Sequence, residues 1–389
     1  MSIPSYIEDT RFIGTDIFPE QLTTDIIAEQ SHHLCRNYTA QLTISNISLS
    51  MNANKRVIYV LPTTDVAGGV RIVFEHANRL RAHGFHAEVY SLQESPKWVH
   101  HEVPVRTFRD YQELGHELEE QVANKVATFW ATAPIVAQHS RDGEGYYLVQ
   151  DIESWFYPND NESQRSVLAT YELPLTLLSE SKWVHYQLSL LRKTGLYIGI
   201  GIEHSVFRRP ESLLRRPNRV VVNAPREDIL WYLKGMDVLS LALERAAVRI
   251  PGLEVISFSS SVNPLIIPGL EVTHITRPSD KLVARLYASA SCFVVASRHE
   301  GFCLPAVEAM ACECAVVATR AGGNEEFCLN EETSLLVDSE DSHGLAASIE
   351  RVLRDNVLAN RLREGGLYVS KSYTWDSVIP NLVNALRLG

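Results

Sequence analysis

The sequence predicts an α/β protein of two doubly wound domains, each a parallel sheet covered by helices. Three observations carry this. Short β-branched runs alternate with helical spacing in two series, one from Lys55 and one from Arg219. An Arg- and Pro-rich stretch, Phe207-Arg-Arg-Pro-Glu-Ser-Leu-Leu-Arg-Arg-Pro-Asn218, separates the series and reads as a linker. The length of 389 residues suits two domains of ordinary size, each able to bury its own core.

Residues 1–54 are polar, have no clear period and read as an N-terminal extension. Arg56-Val-Ile-Tyr-Val-Leu-Pro62 then reads as a buried strand, followed by a turn at Ala67-Gly68-Gly69. Val70, Val73, Phe74, Ala77 and Leu80 fall at helical spacing. Gly84 ends that helix, and residues 87–92 form the next strand. This β-turn-α-β unit predicts a parallel sheet. Further strands are expected at 126–130, 146–150 and 175–179. The second series has strands at 219–223, 253–257, 271–275, 291–296, 314–319 and 334–337. The expected domains are 55–210 and 211–372, with a helical segment at 373–389. Ligands of such sheets bind beyond the C-terminal strand edges, so two facing domains would form a cleft there.

Hydrophobic content of 45% and charged content of 21% fit a soluble globular protein. No apolar run approaches the roughly 20 residues that span a bilayer, and the N-terminus does not read as a signal peptide. The six cysteines have no framework spacing, and Cys312 and Cys314 are too close for an ordinary zinc pair. They read as reduced thiols of a cytoplasmic protein, in which the sequons at Asn37, Asn46 and Asn161 carry no meaning. The pairs His32-His33 and His100-His101 lack metal-site context. A net charge of −11 argues against a nucleic-acid partner and against a strongly basic membrane-facing surface, although a local patch stays open.

The most informative run is Ser297-Arg-His-Glu300-Gly301-Phe302-Cys303-Leu304-Pro-Ala-Val-Glu308-Ala-Met-Ala, which continues to Gly322-Gly323. Two glutamates eight residues apart are common by chance. Here a strand precedes them, a Gly-Phe-x-Leu-Pro turn joins them and a helix opens between them. A carboxylate accepts two hydrogen bonds from a vicinal diol. Backbone N–H groups of Phe302, Cys303 and Leu304 at the helix start would face an anion with a favourable dipole. Such an anion would also attract cations, and Arg226 and Lys234-Gly235 follow the first strand of the second series. Arg offers a bidentate fork and Lys a point charge, although both are ordinarily solvated surface.

This run resembles the donor site of family 4 glycosyltransferases of GT-B fold, whose pattern is close to E-G-F-G-L-P-x-x-E-A-M-A-x-G-x-P-V-V-A followed by G-G-x-x-E. The resemblance implies two Rossmann-like domains facing across a cleft, with a last helix crossing back onto the first. It implies that Glu300 contacts the transferred sugar, Glu308 holds the ribose hydroxyls, and Arg226 and Lys234 meet the diphosphate. Gly68 and Gly69, not part of a G-x-G-x-x-G fingerprint, would let a loop approach donor or acceptor. Transfer would retain anomeric configuration, with no metal and no cofactor besides the nucleotide diphosphate-sugar substrate. The sequence departs from the pattern at Cys303 and Glu313, where glycine is usual, and at Ala315, where proline is usual. Glu313 would sit at the helix end, where a left-handed conformation favours glycine.

In the first domain, Gln150-Asp151-Ile-Glu153-Ser-Trp155-Phe-Tyr157 follows a strand, so Gln150, Asp151 and Glu153 should face the cleft, with Trp155 as an apolar wall. They are the acceptor candidates, and Asp151 joins Glu300, Lys234 and Arg226 among the catalytic ones. The aromatics could equally be core, and Asp151 and Glu153 could be a cap or an ion pair. His139 is a weaker acceptor candidate. The segment resembles rhamnosyltransferase-like members, which points to dTDP-rhamnose beside a UDP- or GDP-sugar. The acceptor would be a glycan or lipid-linked glycan in cell-surface polysaccharide synthesis. A lipid-linked acceptor would bring a cytoplasmic protein to the inner face of the membrane. Two rival readings stay open: a sugar-nucleotide epimerase or hydrolase, and a non-catalytic glycan-binding or scaffold protein.

Overall fold

A computed structural model describes residues 55–226 and 228–388. The extension of residues 1–54, with Cys35, Asn37, Asn46 and His32-His33, lies outside the described residues.

The first series folds as β1 (Arg56–Leu61), α1 (Gly68–Ala82), β2 (His86–Ser91), β3 (Val105–Thr107), α2 (Tyr111–Glu120), β4 (Asn124–Ala127), α3 (Ala133–Gln138), β5 (Gly145–Val149), α4 (Asn161–Thr170), β6 (Thr176–Ser179), α5 (Lys182–Leu190) and β7 (Gly195–Tyr197). These strands form a 7-stranded sheet in the order β3-β2-β1-β4-β5-β6-β7, and its paired strands are parallel. Val57, Tyr59 and Leu61 of β1 enter one core layer and Ile58 and Val60 the opposite layer, as expected for a strand buried on both faces.

The second series comprises β8 (Arg219–Asn223), α6 (Asp228–Leu233), α7 (Met236–Arg249), β9 (Glu254–Ser259), β10 (Val272–Thr276), α8 (Asp280–Ser289), β11 (Cys292–Val295), α9 (Leu304–Ala311), β12 (Ala315–Thr319), β13 (Ser334–Val337), α10 (Ser342–Arg354), α11 (Asn356–Ser370) and α12 (Trp375–Ala385). Its 6-stranded sheet runs β10-β9-β8-β11-β12-β13. Val220 and Val222 point into one layer and Val221 into the other. Helix α12 does not stay with this sheet. Ile379, Leu382 and Ala385 join the core of the first sheet, and Asn124 Nδ2 donates to the Leu386 carbonyl at 2.5 Å.

The structure corrects several boundaries. Strands β3 and β7 were not expected. Each is only three residues long, at a sheet edge, with no apolar run to announce it. The strand expected at 126–130 ends at Ala127, and Trp130–Thr132 forms a 3₁₀ turn in which Thr132 Oγ1 accepts from the N–H groups of Thr128 and Phe129. Gly68 and Gly69 lie in the first turn of α1, not in the loop before it. The Arg/Pro stretch is packed down rather than free: Arg216 N–H donates to the Ser289 carbonyl at 2.8 Å, and Phe207 is buried against the second sheet.

Candidate active site

Both sheets turn their C-terminal strand edges toward one seam, where Glu300, Lys234, Glu308, Gln150, Asp151 and Trp155 gather. Glu300 follows β11. Its amide donates to the Ala321 carbonyl at 2.8 Å, and its carbonyl accepts from Gly323 N–H at 2.8 Å, which ties the loop to the Gly322-Gly323 turn. Its buried carboxylate takes Lys234 Nζ at 2.8 Å on both oxygens and Ser297 Oγ at 2.6 Å. Burial works against the Lys234 ammonium, but Glu300, with Cys303 and Asp151, outweighs it and the net shift raises the Lys234 pKa. Gly235 is required beside Lys234. It has φ +58, and a Cβ there would lie 1.9 Å from the Ala296 carbonyl oxygen.

Glu308 lies in α9, whose N-cap is Cys303 at φ +79. Cys303 and Glu313, at φ +55, both hold the left-handed conformation for which glycine is usual. Burial raises the Glu308 carboxyl to about 7, against the pull of Arg71. Arg71, from α1 of the first sheet, reaches Glu308 at 3.2 Å and Asp280 at 2.6 Å. The space beside them is a cavity of about 20 Å³, bounded by Leu304, Phe207 and Trp375 among others. That is about enough for one water. A cavity of about 610 Å³ lies elsewhere, along β3 and α2 around Arg106 and His116, and no nominated residue lines it. The space beside Glu308 is thus too small to hold more than a water while the two sheets are in contact.

The turn after Glu300 is pressed against the first sheet. Ser181, the N-cap of α5, donates to the Gly301 carbonyl at 2.6 Å. A Cβ on Gly301 would lie 2.3 Å from the Gln150 carbonyl oxygen, so only glycine allows this approach. Phe302 turns away into an aromatic group, with ring centroids 5.1 Å from both Phe327 and Tyr373. Leu304 Cδ1 would be 3.6 Å from a Cβ on Gly68, so the starts of α1 and α9 lie close together.

The first-domain candidates divide. Gln150 Nε2 donates to the Gly69 carbonyl and to Glu180, each at 3.2 Å, and so secures the start of α1. Asp151 meets His299 across the seam at 2.5 Å. Trp155 packs edge-on to Trp183 and His299, with centroids at 5.3 and 4.2 Å. Glu153 does not face the cleft. The chain leaves β5 into a 3₁₀ turn that swings its carboxylate inward, where it accepts from Trp130 N–H at 2.7 Å and Tyr147 Oη at 3.0 Å. Burial pushes its carboxyl to about 8. His139 caps the far end of α3, where its carbonyl accepts from Lys125 Nζ at 2.7 Å, at the opposite edge of the sheet. Arg226 lays its guanidinium 4.4 Å from the Trp231 ring centroid.

Sequence reasoning missed Arg71, Asp280, His299, Ser181 and Glu326. Glu326 accepts from Trp183 N–H at 2.7 Å across the seam, and burial raises its carboxyl to about 7. Only Glu326 carried a signal, as the glutamate after Gly-Gly.

Part of the chain resembles known proteins. Residues 269–367 match the family described as glycosyl transferases group 1. An uncharacterized glycosyltransferase of Methanocaldococcus jannaschii is 35% identical over 103 residues, covering 26% of this chain and 29% of that protein. A D-inositol 3-phosphate glycosyltransferase of Thermobifida fusca is 32% identical over 26% of this chain and 23% of its own length. The match thus spans less than a third of either relative. Among solved structures, sucrose-phosphate synthase of Thermosynechococcus elongatus superposes with a TM-score of 0.70 at 18% identity, covering 85% of this chain and 98% of that one. HepE of Anabaena, solved with UDP-glucose, does so with a TM-score of 0.70 at 16% identity, covering 85% and 99%. The chain has the GT-B fold, and the part of it that carries Glu300 and Glu308 matches the group 1 glycosyl transferases.

Proposed function

We propose that the chain is a glycosyltransferase that moves a sugar from a nucleotide diphosphate-sugar to a hydroxyl of a glycan acceptor. The observation that carries this is the arrangement along α9. Glu300 with its Lys234 partner stands before the helix and Glu308 within it, both at the sheet edge that faces Asp151 and Gln150.

In this reading Glu308 exchanges Arg71 for the ribose diol and Glu300 holds the transferred sugar. Lys234, Arg226 and the start of α9 meet the diphosphate and stabilise the charge that grows on it as the glycosidic bond breaks. Those cations make a metal ion unnecessary, and no side chain is assigned as nucleophile. Resemblance to family 4 supports retention of configuration. The Gln150–Tyr157 segment supports dTDP-rhamnose as the first donor to try. Asp151, Gln150 and Trp155 are the acceptor-side groups, and Glu153 supports them from behind through the Trp130 turn. Closure of the sheets excludes water and limits hydrolysis. No helix among the described residues is long and apolar enough to cross a membrane, so a lipid-linked acceptor would be met at the membrane surface.

The test is thermal shift of the full chain with a metal-free panel of nucleoside diphosphates and their sugars. Ligands that bind only the folded state raise its stability, by about 2.7 kcal/mol at a hundredfold excess over Kd. A shift with one base that is lost in Glu308→Ala supports the reading, and product analysis with acceptor then separates transfer from hydrolysis or epimerisation. No shift with any of them refutes it.

A further inference from the structure

Asp151 and His299 belong to different sheets, and their contact is more than a strut between them. A carboxylate oxygen only accepts, so His299 Nε2 must be the nitrogen that carries hydrogen in the 2.5 Å contact. In the neutral ring Nδ1 then carries a lone pair and needs a donor. That Nδ1 is buried with no hydrogen-bond partner, and His299 is only 6% exposed. An orphaned buried acceptor costs stability. The closed arrangement thus leaves one site for an O–H group, reached when the sheets part and enclosed again by Asp151, Trp155 and Trp183 when they close on the sugar.

The surroundings narrow the donor's chemistry. The ring is walled by Trp155 and Trp183, with centroids at 4.2 and 5.2 Å. On Asp151 the hydrogen bonds fall on Oδ1, from His299 and from Ile152 N–H at 2.7 Å, which leaves Oδ2 able to accept. Two acceptors beside aromatic faces suit a sugar, which combines hydroxyl donors with apolar C–H faces. His299 adjoins Glu300, whereas Glu308 lies eight residues further on, so the group faces the sugar end of a donor.

We infer that His299, oriented by Asp151, is a specificity-determining residue that accepts a hydrogen bond from a hydroxyl of the transferred sugar, with Trp155 and Trp183 against the ring. The inference rests on the sugar-nucleotide reading above and adds a residue to it.

The test compares each nucleoside diphosphate with its own sugar nucleotide (UDP with UDP-glucose, dTDP with dTDP-rhamnose, GDP with GDP-mannose) by calorimetry on the full chain. For the base that wild type binds, His299→Phe should shift the ratio of the two dissociation constants about tenfold against the sugar nucleotide. Affinity for the diphosphate alone should stay within about twofold, which also shows that the variant is folded. His299→Asn, whose amide oxygen falls near the place of Nδ1, should recover part of the ratio. Asp151→Ala, which removes the acceptor of Nε2–H and so no longer fixes the imidazole tautomer, should lose part of it. Equal weakening of both ligands in His299→Phe, or no change in either, overturns the inference and leaves the donor-site reading standing. Failure of wild type to bind any diphosphate overturns that reading, and this inference with it.

Discussion

Arg71 of the first sheet is paired with Glu308 of the second at 3.2 Å, so the carboxylate nominated for the donor ribose is already engaged by the chain's own cation. Arg71 also holds Asp280 at 2.6 Å. One guanidinium therefore fastens α1 to both α8 and α9, in a space too small for a nucleotide. On the proposed reading, donor entry breaks this pair. We expect Arg71→Ala to open the ligand-free protein, seen as a larger radius by small-angle scattering, and to tighten nucleoside diphosphate binding several-fold, seen by calorimetry. An unchanged radius with weaker binding would instead make Arg71 a ligand of the nucleotide.

Glu300 and Lys234 should act together. Replacing Lys234 by Ala removes a cation from the proposed diphosphate site and leaves a buried carboxylate whose remaining partner among the described residues is Ser297. Loss of one preorganised charge-stabilising group typically slows a reaction by about 10²–10³-fold, so turnover with a matched donor and acceptor should fall by that order. Glu300→Gln should also lose most of its turnover with the fold intact by circular dichroism. Near-normal rates in either variant would remove that residue from the mechanism.

Gly301 offers a cleaner test of closure. The atom that a Cβ would strike belongs to Gln150, in the other sheet, so Gly301→Ala obstructs the approach and not the fold of either half. The variant should keep its thermal shift with diphosphate and lose turnover at least tenfold. Loss of diphosphate binding as well would show that the damage is local.

The buried carboxyls set a pH signature. Glu153 is raised from the ordinary 4.5 to about 8 by burial. Between those values the folded chain keeps a proton that the unfolded chain has released. Stability from this group is therefore full below about 4.5 and is lost as pH rises toward 8. Glu153→Gln keeps a carbonyl oxygen for Trp130 and Tyr147 without the titration. Its melting temperature relative to wild type should rise progressively between pH 5 and pH 8.5, and a pH-independent difference would contradict the assignment.

The sequence revealed what depends on neighbours along the chain. β1 and β8 could be read because each is a short apolar run buried on both faces, and the left-handed turn at Glu313 because a helix end makes that demand locally. Glu153 was expected at the cleft because it follows a strand, but beyond Val149 the chain enters a 3₁₀ turn that carries its carboxylate inward, a turn that no local pattern announces. Arg71 and His299 were overlooked because their partners lie 237 and 148 positions away, a distance no local period can report. The edge strands β3 and β7 were missed because an edge needs only backbone pairing and leaves little mark in composition.

The return of α12 to the first sheet has a consequence for how the chain is made. The apolar face that receives Ile379, Leu382 and Leu386 is complete in sequence once Tyr197 has been added, yet its cover begins only at Trp375. At about 5–20 residues per second the part of this face that α12 covers, beside Val70, Val73 and Phe74 of α1, stays bare for roughly 10–40 s on the ribosome. The half synthesised first is thus the half finished last, and a stop codon shortly before Trp375 would leave the earlier sheet, not the later one, as the sticky part of the product.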